Sequence, residues 1–211
     1  MDQAVRQDGP VEIDRDWLAR RAVDVAPELL GAMITRESEQ GAVTIRLTEV
    51  EAYEGADDPG SHAYRGRTQR NAVMFGRAGH LYVYFTYGMH WCANIVCGPV
   101  GVSSAVLMRA GEVVDGVELA RKRRHAARND RDLARGPARL AAALGLNRSD
   151  NAADLLDPEG DVQLHAHEGR RPPTTLTGPR VGLANGAIRP WRFWLDGEPT
   201  VSQYRPHKAR R

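Results

Sequence analysis

Across residues 43–48 apolar and polar positions alternate, Val43, Ile45 and Leu47 against Thr44, Arg46 and Thr48, which is the period of a half-buried strand. Carried forward, that alternation puts Glu49, Glu51 and Tyr53 on the apolar side. A carboxylate at the end of a core-facing row is costly unless hydrogen-bonded, and strand ends with such acids are where catalytic bases are found. The other reading is that the register slips by one at Val50 and turns Glu51 to water. From Leu81 to Arg109 three further apolar runs are separated by glycine-bearing turns, Tyr87-Gly88-Met89 and Gly98-Pro99-Val100-Gly101. They predict an antiparallel meander. Alternation along Leu81–Tyr87 sends Tyr82 and Tyr84 to one face and Val83, Phe85 and Tyr87 to the other.

Around this meander the pattern predicts short helices. Asp14 is a candidate cap before Trp17-Leu18, and Pro27 opens a second short helix. Residues 112–124 read as a helix with Val113, Val114, Val117 and Ala120 inward. Gly136-Pro137 opens another, with Leu140, Ala141 and Leu144 on one face and Gly145 closing it. Val162–His167, 179–183 and 191–195 read as strands. Between Glu54 and Gly79 lies a long loop rich in Gly, Asp, Ser, His and Arg, of a length that is usually functional or disordered. The expectation is an α+β fold: a single domain over residues 13–207, with a mostly antiparallel curved sheet and flanking helices. Residues 1–12 are expected to be a flexible N-terminus and 208–211 a basic tail.

Composition changes this picture little. A chain of 211 residues with 42% hydrophobic content suits one substantial core. It has no apolar run of membrane-spanning length, and its first ten residues are polar with both charge signs, so a cytoplasmic location is expected. Cys92 and Cys97, five positions apart on one strand, fall on opposite faces and read as reduced, buried residues. His165 and His167 share a strand face without further ligands beside them, so exposure is expected and no metal or cofactor is. The formal charge is only +2, but basic residues cluster at Arg65, Arg67 and Arg70, at Arg121 to Arg124, and at Arg205, Lys208, Arg210 and Arg211. Such clusters either hold phosphates or solvate a face; for Arg121 to Arg124 the structural alternative is a helix C-terminus.

The candidate chemistry gathers near Glu51. Tyr53, His62 and Tyr84 could make a slot of aromatic faces for a flat heterocycle, while for Tyr82 and Tyr84 the other reading is ordinary core packing with the hydroxyl satisfied. Tyr87 lies where a hairpin reverses and could wedge between stacked bases. Asn94 and Arg109 stand in apolar runs and need partners, a glutamate being a natural one for the arginine.

These residues resemble the alkyladenine, or mammalian-type 3-methyladenine, DNA glycosylases, and the bacterial members most closely. The matching text is Glu49-Val50-Glu51-Ala52-Tyr53, Ser61-His62, Arg70-Asn71-Ala72-Val73-Met74-Phe75, Gly79-His80-Leu81-Tyr82-Val83-Tyr84, Tyr87-Gly88-Met89, Asn94 and Leu107-Met108-Arg109-Ala110, with Leu133 to Leu140 and Pro179-Arg180-Val181-Gly182 further on. The resemblance implies an enzyme that flips a damaged purine out of double-stranded DNA and hydrolyses its N-glycosidic bond; nothing in the sequence suggests more than a monomer. By matched position Glu51 is the general base, and Arg109 helps hold it and the water. Tyr53, His62 and Tyr84 line the pocket. Asn94 sits at its edge, excluding normal guanine by a clash with the amino group, and Tyr87, with Met89 beside it, fills the gap in the duplex. His90, Trp91 and Gln69 depart from the family pattern at the rim and loop, which touches substrate preference. A single acid suffices for a cationic leaving base. The competing readings are a non-catalytic nucleic-acid-binding module, which leaves Glu51 unexplained, and a zinc base deaminase, whose His-x-Glu and Pro-Cys-x-x-Cys elements are missing.

Overall fold

The computed structural model describes residues 12–166, 174–186 and 188–207. Within them eight strands form one sheet: β1 (Met33–Arg36), β2 (Val43–Tyr53), β3 (Leu81–Thr86), β4 (His90–Val96), β5 (Ala105–Asp115), β6 (Val162–His165), β7 (Thr175–Gly178) and β8 (Arg192–Leu195). The order is β3-β4-β5-β2-β1-β6, with β8 against β2 and β7 against β8, every pair antiparallel. Short helices flank it: α1 (Arg15–Leu18), α2 (Ala22–Val25), α3 (Val117–Arg123) and α4 (Pro137–Leu144). Asp14 caps α1 by accepting from the Trp17 N–H. Pro137 opens α4 and Gly145, at φ 76°, closes it, so that Leu140, Ala141, Ala143 and Leu144 face the core. This is the expected α+β architecture. No helix among the described residues is long and apolar enough to cross a membrane.

β2 organises the sheet. β5 runs along one edge, while the other carries β1 over residues 43–46 and β8 over residues 49–51. The β2–β5 ladder is irregular between Leu47 and Val50, and there the core-facing set changes parity. Val43, Ile45 and Leu47 belong to the main core before the irregularity, and Val50 and Ala52 after it. Glu51 therefore leaves the core face, as the slipped register required, yet it is fully buried. Residues 47–52 are all buried because the second face of β2 is covered too.

That second face extends across three neighbouring strands. Directly paired residues share a face: Val50 and Ala52 lie opposite Met108 and Val106 on the core side, whereas Glu51 and Tyr53 lie opposite Leu107 and Ala105 on the other. Leu107 pairs with Asn94, Asn94 with Tyr82, and Cys92 with Tyr84. Tyr82 and Tyr84 share a face as the alternation predicts. Cys97 joins the main core while Cys92 lies on the second face, and both are free.

Several elements differ from the sequence reading. β5 continues to Asp115, with Val113 paired to Ile45, and α3 begins only after Gly116, at φ 70°. The 113/117/120 spacing mimics a helical face, but pairing with β2 decides the backbone of residues 112–115. β1 escaped notice because only one of its four residues is buried. The strand before Pro179 is residues 175–178, and 179–183 turns through Gly182 at φ 73°. Of the basic run, Arg123 donates to the carbonyls of Ala143 and Leu144, Arg124 donates to that of Leu133, and Arg121 pairs with Asp130 and Glu118. That cluster ties α3 to its surroundings. His165 is exposed on β6; His167, residues 1–11 of the expected flexible N-terminus and the tail at 208–211 lie outside the described residues.

Candidate active site

Glu51 sits near the end of β2 with 0% of its surface exposed. Its Oε2 accepts from the Tyr53 hydroxyl at 2.9 Å, its Oε1 from the Val181 N–H at 2.8 Å, and Arg109 Nη1 stands 3.5 Å from Oε1. All three contacts of this carboxylate are with donors, so its oxygens are held as acceptors. Burial, and next the charge of Glu51, push the Tyr53 hydroxyl well above the ordinary tyrosine value, so it stays a donor.

Arg109 divides its contacts. Its Nε donates to Glu49 at 2.7 Å, and only the Nη1 end approaches Glu51. Burial alone would lower Arg109, but Glu51 and Glu49 together hold it above the ordinary arginine value. Glu49 also accepts from Arg192 Nε at 2.7 Å, from the Ser202 N–H at 2.6 Å and from Ser202 Oγ at 3.0 Å. Neither Glu49 nor Arg192 stands out in the sequence as a site residue. The available signal was the second acid two positions before Glu51, on the same strand face.

A second ion pair, also outside the sequence reading, secures the cover over Glu51. Arg180 and Asp58 are both fully buried and meet through two contacts of 2.5 and 2.6 Å. The guanidinium also donates to the carbonyls of Ala52 and Gly186 and lies 4.5 Å from the Tyr53 ring centroid. Asp58 belongs to the long loop and Arg180 to the segment after β7, so the pair joins the two coverings of the second face. Arg180 immediately precedes Val181, whose N–H rests on Glu51.

The aromatic side chains assemble beside this carboxylate. Tyr82 and Tyr84 stack with centroids 5.4 Å apart, and the His62 ring meets Tyr84 edge-on at 4.6 Å. His62 Nδ1 and the Tyr82 hydroxyl are 3.3 Å apart. Although His62 is exposed on its outer side, desolvation of its ring, followed by the charge of Arg70, lowers it below the ordinary histidine value. Asn71 anchors this stretch of loop by donating to the carbonyls of His62 and Gly66 and accepting from Thr68. Burial pushes the Cys92 thiol up to about 11, keeping it protonated beside Tyr84. Asn94 is 5% exposed and its Oδ1 has no partner among the described residues, a buried acceptor left open. Tyr82 is fully buried in a small core cluster behind Tyr84, the packing role that alternation left open for it.

Tyr87 and Met89 stand apart from this cluster. They occupy the three-residue connection between the paired Thr86 and His90, where Tyr87 adopts φ 51° and Gly88 φ 65°. Tyr87 is 83% exposed and Met89 68%, on a tip closed by the Met89 N–H donating to the Thr86 carbonyl. Arg65, Arg67 and Arg70 are exposed on the loop carrying His62. The structure thus places Glu51, Tyr53, Arg109 and Asn94 on one sheet face with the His62–Tyr84 pair, and puts the two wedge candidates at a separate projecting tip.

Comparison with known proteins points one way. The model of the methylpurine-DNA glycosylase family matches residues 16–199. The chain is 55% identical over 201 residues, 94% of either chain, to a Streptomyces avermitilis protein named as a 3-methyladenine DNA glycosylase. It is similar in the same way to proteins so named from Leifsonia xyli subsp. xyli, at 52% identity over 92% of this chain and 93% of the relative, and from Nocardia farcinica, at 51% over 85% of each.

Proposed function

Because the chain belongs to the methylpurine-DNA glycosylase family, we propose that Glu51 is the base that activates water for the reaction of this protein. The protein is a monofunctional DNA-repair glycosylase that removes damaged purines from DNA by hydrolysing the N-glycosidic bond, leaving an abasic site. The observation that carries the assignment of Glu51 is its burial under donors, from Tyr53, Val181 and Arg109, beside an aromatic slot.

In the proposed cycle the damaged nucleotide leaves the stack and its base enters between Tyr53, His62 and Tyr84. Extrusion costs least where pairing is already weakened, which selects damage before any chemistry. Tyr87 and Met89 occupy the vacated space in the duplex, and their exposure on a hairpin tip suits that task. As the bond from C1′ to nitrogen lengthens, positive charge builds on the sugar. Water adds to C1′, Glu51 takes its proton, and the bonding electrons leave with the base. An alkylated purine cation departs neutral, so a single carboxylate completes the balance. Asn94, at the edge of the slot, distinguishes purines by their ring substituents. The named site residues all lie on this one chain, which supports a monomeric active form.

The test is incubation with duplexes that each carry one defined lesion, followed by detection of abasic sites. Release of the alkylpurine as a neutral base, with the lesion-bearing strand left uncut at the abasic site, is expected. Binding without release from every lesion duplex would favour a non-catalytic module.

A further inference from the structure

Glu49 is fully buried two positions before the base, with Arg109, Arg192 and Ser202 occupying both its oxygens. Four hydrogen bonds fill the roughly four acceptor positions of the Glu49 carboxylate, whereas Glu51 accepts only two and keeps acceptor capacity for a water molecule. Two acids, Glu49 and Glu51, here face two arginines, and Arg109 is the shared member, with Nε on Glu49 and Nη1 at 3.5 Å from Glu51. Arg192 contacts Glu49 and donates its Nη2 to the Ser202 carbonyl at 3.0 Å. An arginine released from such an anchor closes on the nearest carboxylate as a two-pronged pair at about 2.7–2.9 Å. For Arg109 that carboxylate is Glu51, and the closed pair would take the oxygens that water needs.

We propose that Glu49 and Arg192 are positioning residues for the base: Glu49 holds Arg109 back from full pairing with Glu51 and absorbs the charge of Arg192. This rests on Glu51 being the base. The charged and titratable groups around Glu51 are Tyr53 and Glu49 on its own strand, Arg109 on β5, Tyr84 on β3, and Arg180, itself paired to Asp58, and Arg192 near the C-terminus. Cys92 on β4 faces Arg109. Loss of the Glu49 charge leaves the group net positive, which favours the ionised base but blunts it. Loss of the Arg192 charge does the opposite.

The experiment is single-turnover excision of 7-methylguanine from duplex DNA as a function of pH, using the full chain and a parallel measurement of lesion-duplex binding. Glu49→Gln is expected to lower the rate plateau about a hundredfold, the scale of a misplaced reacting group, with binding retained. It moves the acidic limb of the profile to lower pH. Arg192→Met moves that limb to higher pH, and Arg192→Lys, which keeps the charge, leaves it in place. Glu49→Asp restores the limb. Limbs that shift in the same direction, or not at all, in Glu49→Gln and Arg192→Met would overturn the proposal. Should Glu49→Gln fail to fold, the two Arg192 variants decide alone, an unmoved limb in Arg192→Met overturning it. Glu51→Gln run alongside separates the premises: if it still excises, the assignment of the base fails, and if it is inactive while the limbs stand still, only the role of Glu49 and Arg192 fails.

Discussion

The buried pair Asp58–Arg180 offers a sharp energetic test, because each partner is fully enclosed and each would be left charged without the other. Removing one partner of a buried ion pair costs about 3–5 kcal/mol, whereas replacing both with well-packed uncharged side chains is often neutral. Asp58→Asn leaves the Arg180 guanidinium facing an amide, with its Nε already lacking a partner among the described residues. Arg180→Met leaves the Asp58 carboxylate with the N–H groups of Glu54 and Gly60 alone. For a chain of this size each kcal/mol moves the melting midpoint by about 2–4 °C, so a single variant should lower it by about 6–20 °C. The double variant should recover at least about 2 kcal/mol of the summed loss, the signature of direct coupling. Thermal unfolding followed by circular dichroism reads all four forms. Excision should fall in both singles, since the Val181 N–H that rests on Glu51 follows Arg180 directly. Single variants that each melt within about 2 °C of the parent, or a double variant whose loss is simply additive, would refute the reasoning.

Other consequences follow from the same geometry. Arg109→Met removes the cation between two buried acids and should reduce excision about a hundredfold; full activity would remove Arg109 from the account. Tyr87→Ala should weaken capture of lesion duplex while sparing release from single strands, with stability within about 0.5 kcal/mol because the ring is exposed; equal losses on both substrates would move Tyr87 into the pocket. His62, held below the ordinary histidine value of about 6.5, is neutral at neutral pH and does not repel a cationic base. As pH falls through its lowered value it gains charge, so binding of a cationic lesion should weaken there in the parent and stay flatter in His62→Gln. Identical profiles for the two would contradict that role.

The sheet and its turns were legible because their signals are local. Glycines stand at the β3–β4 and β4–β5 reversals, and Leu81–Tyr87 keeps a clean period of two. α3 was read too early because Val113 fits a helical spacing as well as a strand, and only pairing with Ile45 resolves it. Around Glu51 the sequence offered two registers, and the outcome combines them: the parity does slip, yet the acid stays dry. That combination is not local, since it depends on Val181, Arg192 and Ser202, which lie far along the chain. Glu49 and Asp58 escaped for the same reason. In both cases the arginine that encloses the acid arrives from a distant segment, Arg109 and Arg192 for Glu49 and Arg180 for Asp58.

The central claim is that Glu51 activates water, and single-turnover excision of 7-methylguanine by Glu51→Gln, paired with lesion-duplex binding by the same variant, tests it most directly. The amide keeps the shape and loses the basicity. Retained binding with excision reduced by at least about 10²–10⁴-fold, the usual contribution of a positioned base, is the predicted result; excision at the parent rate would contradict it.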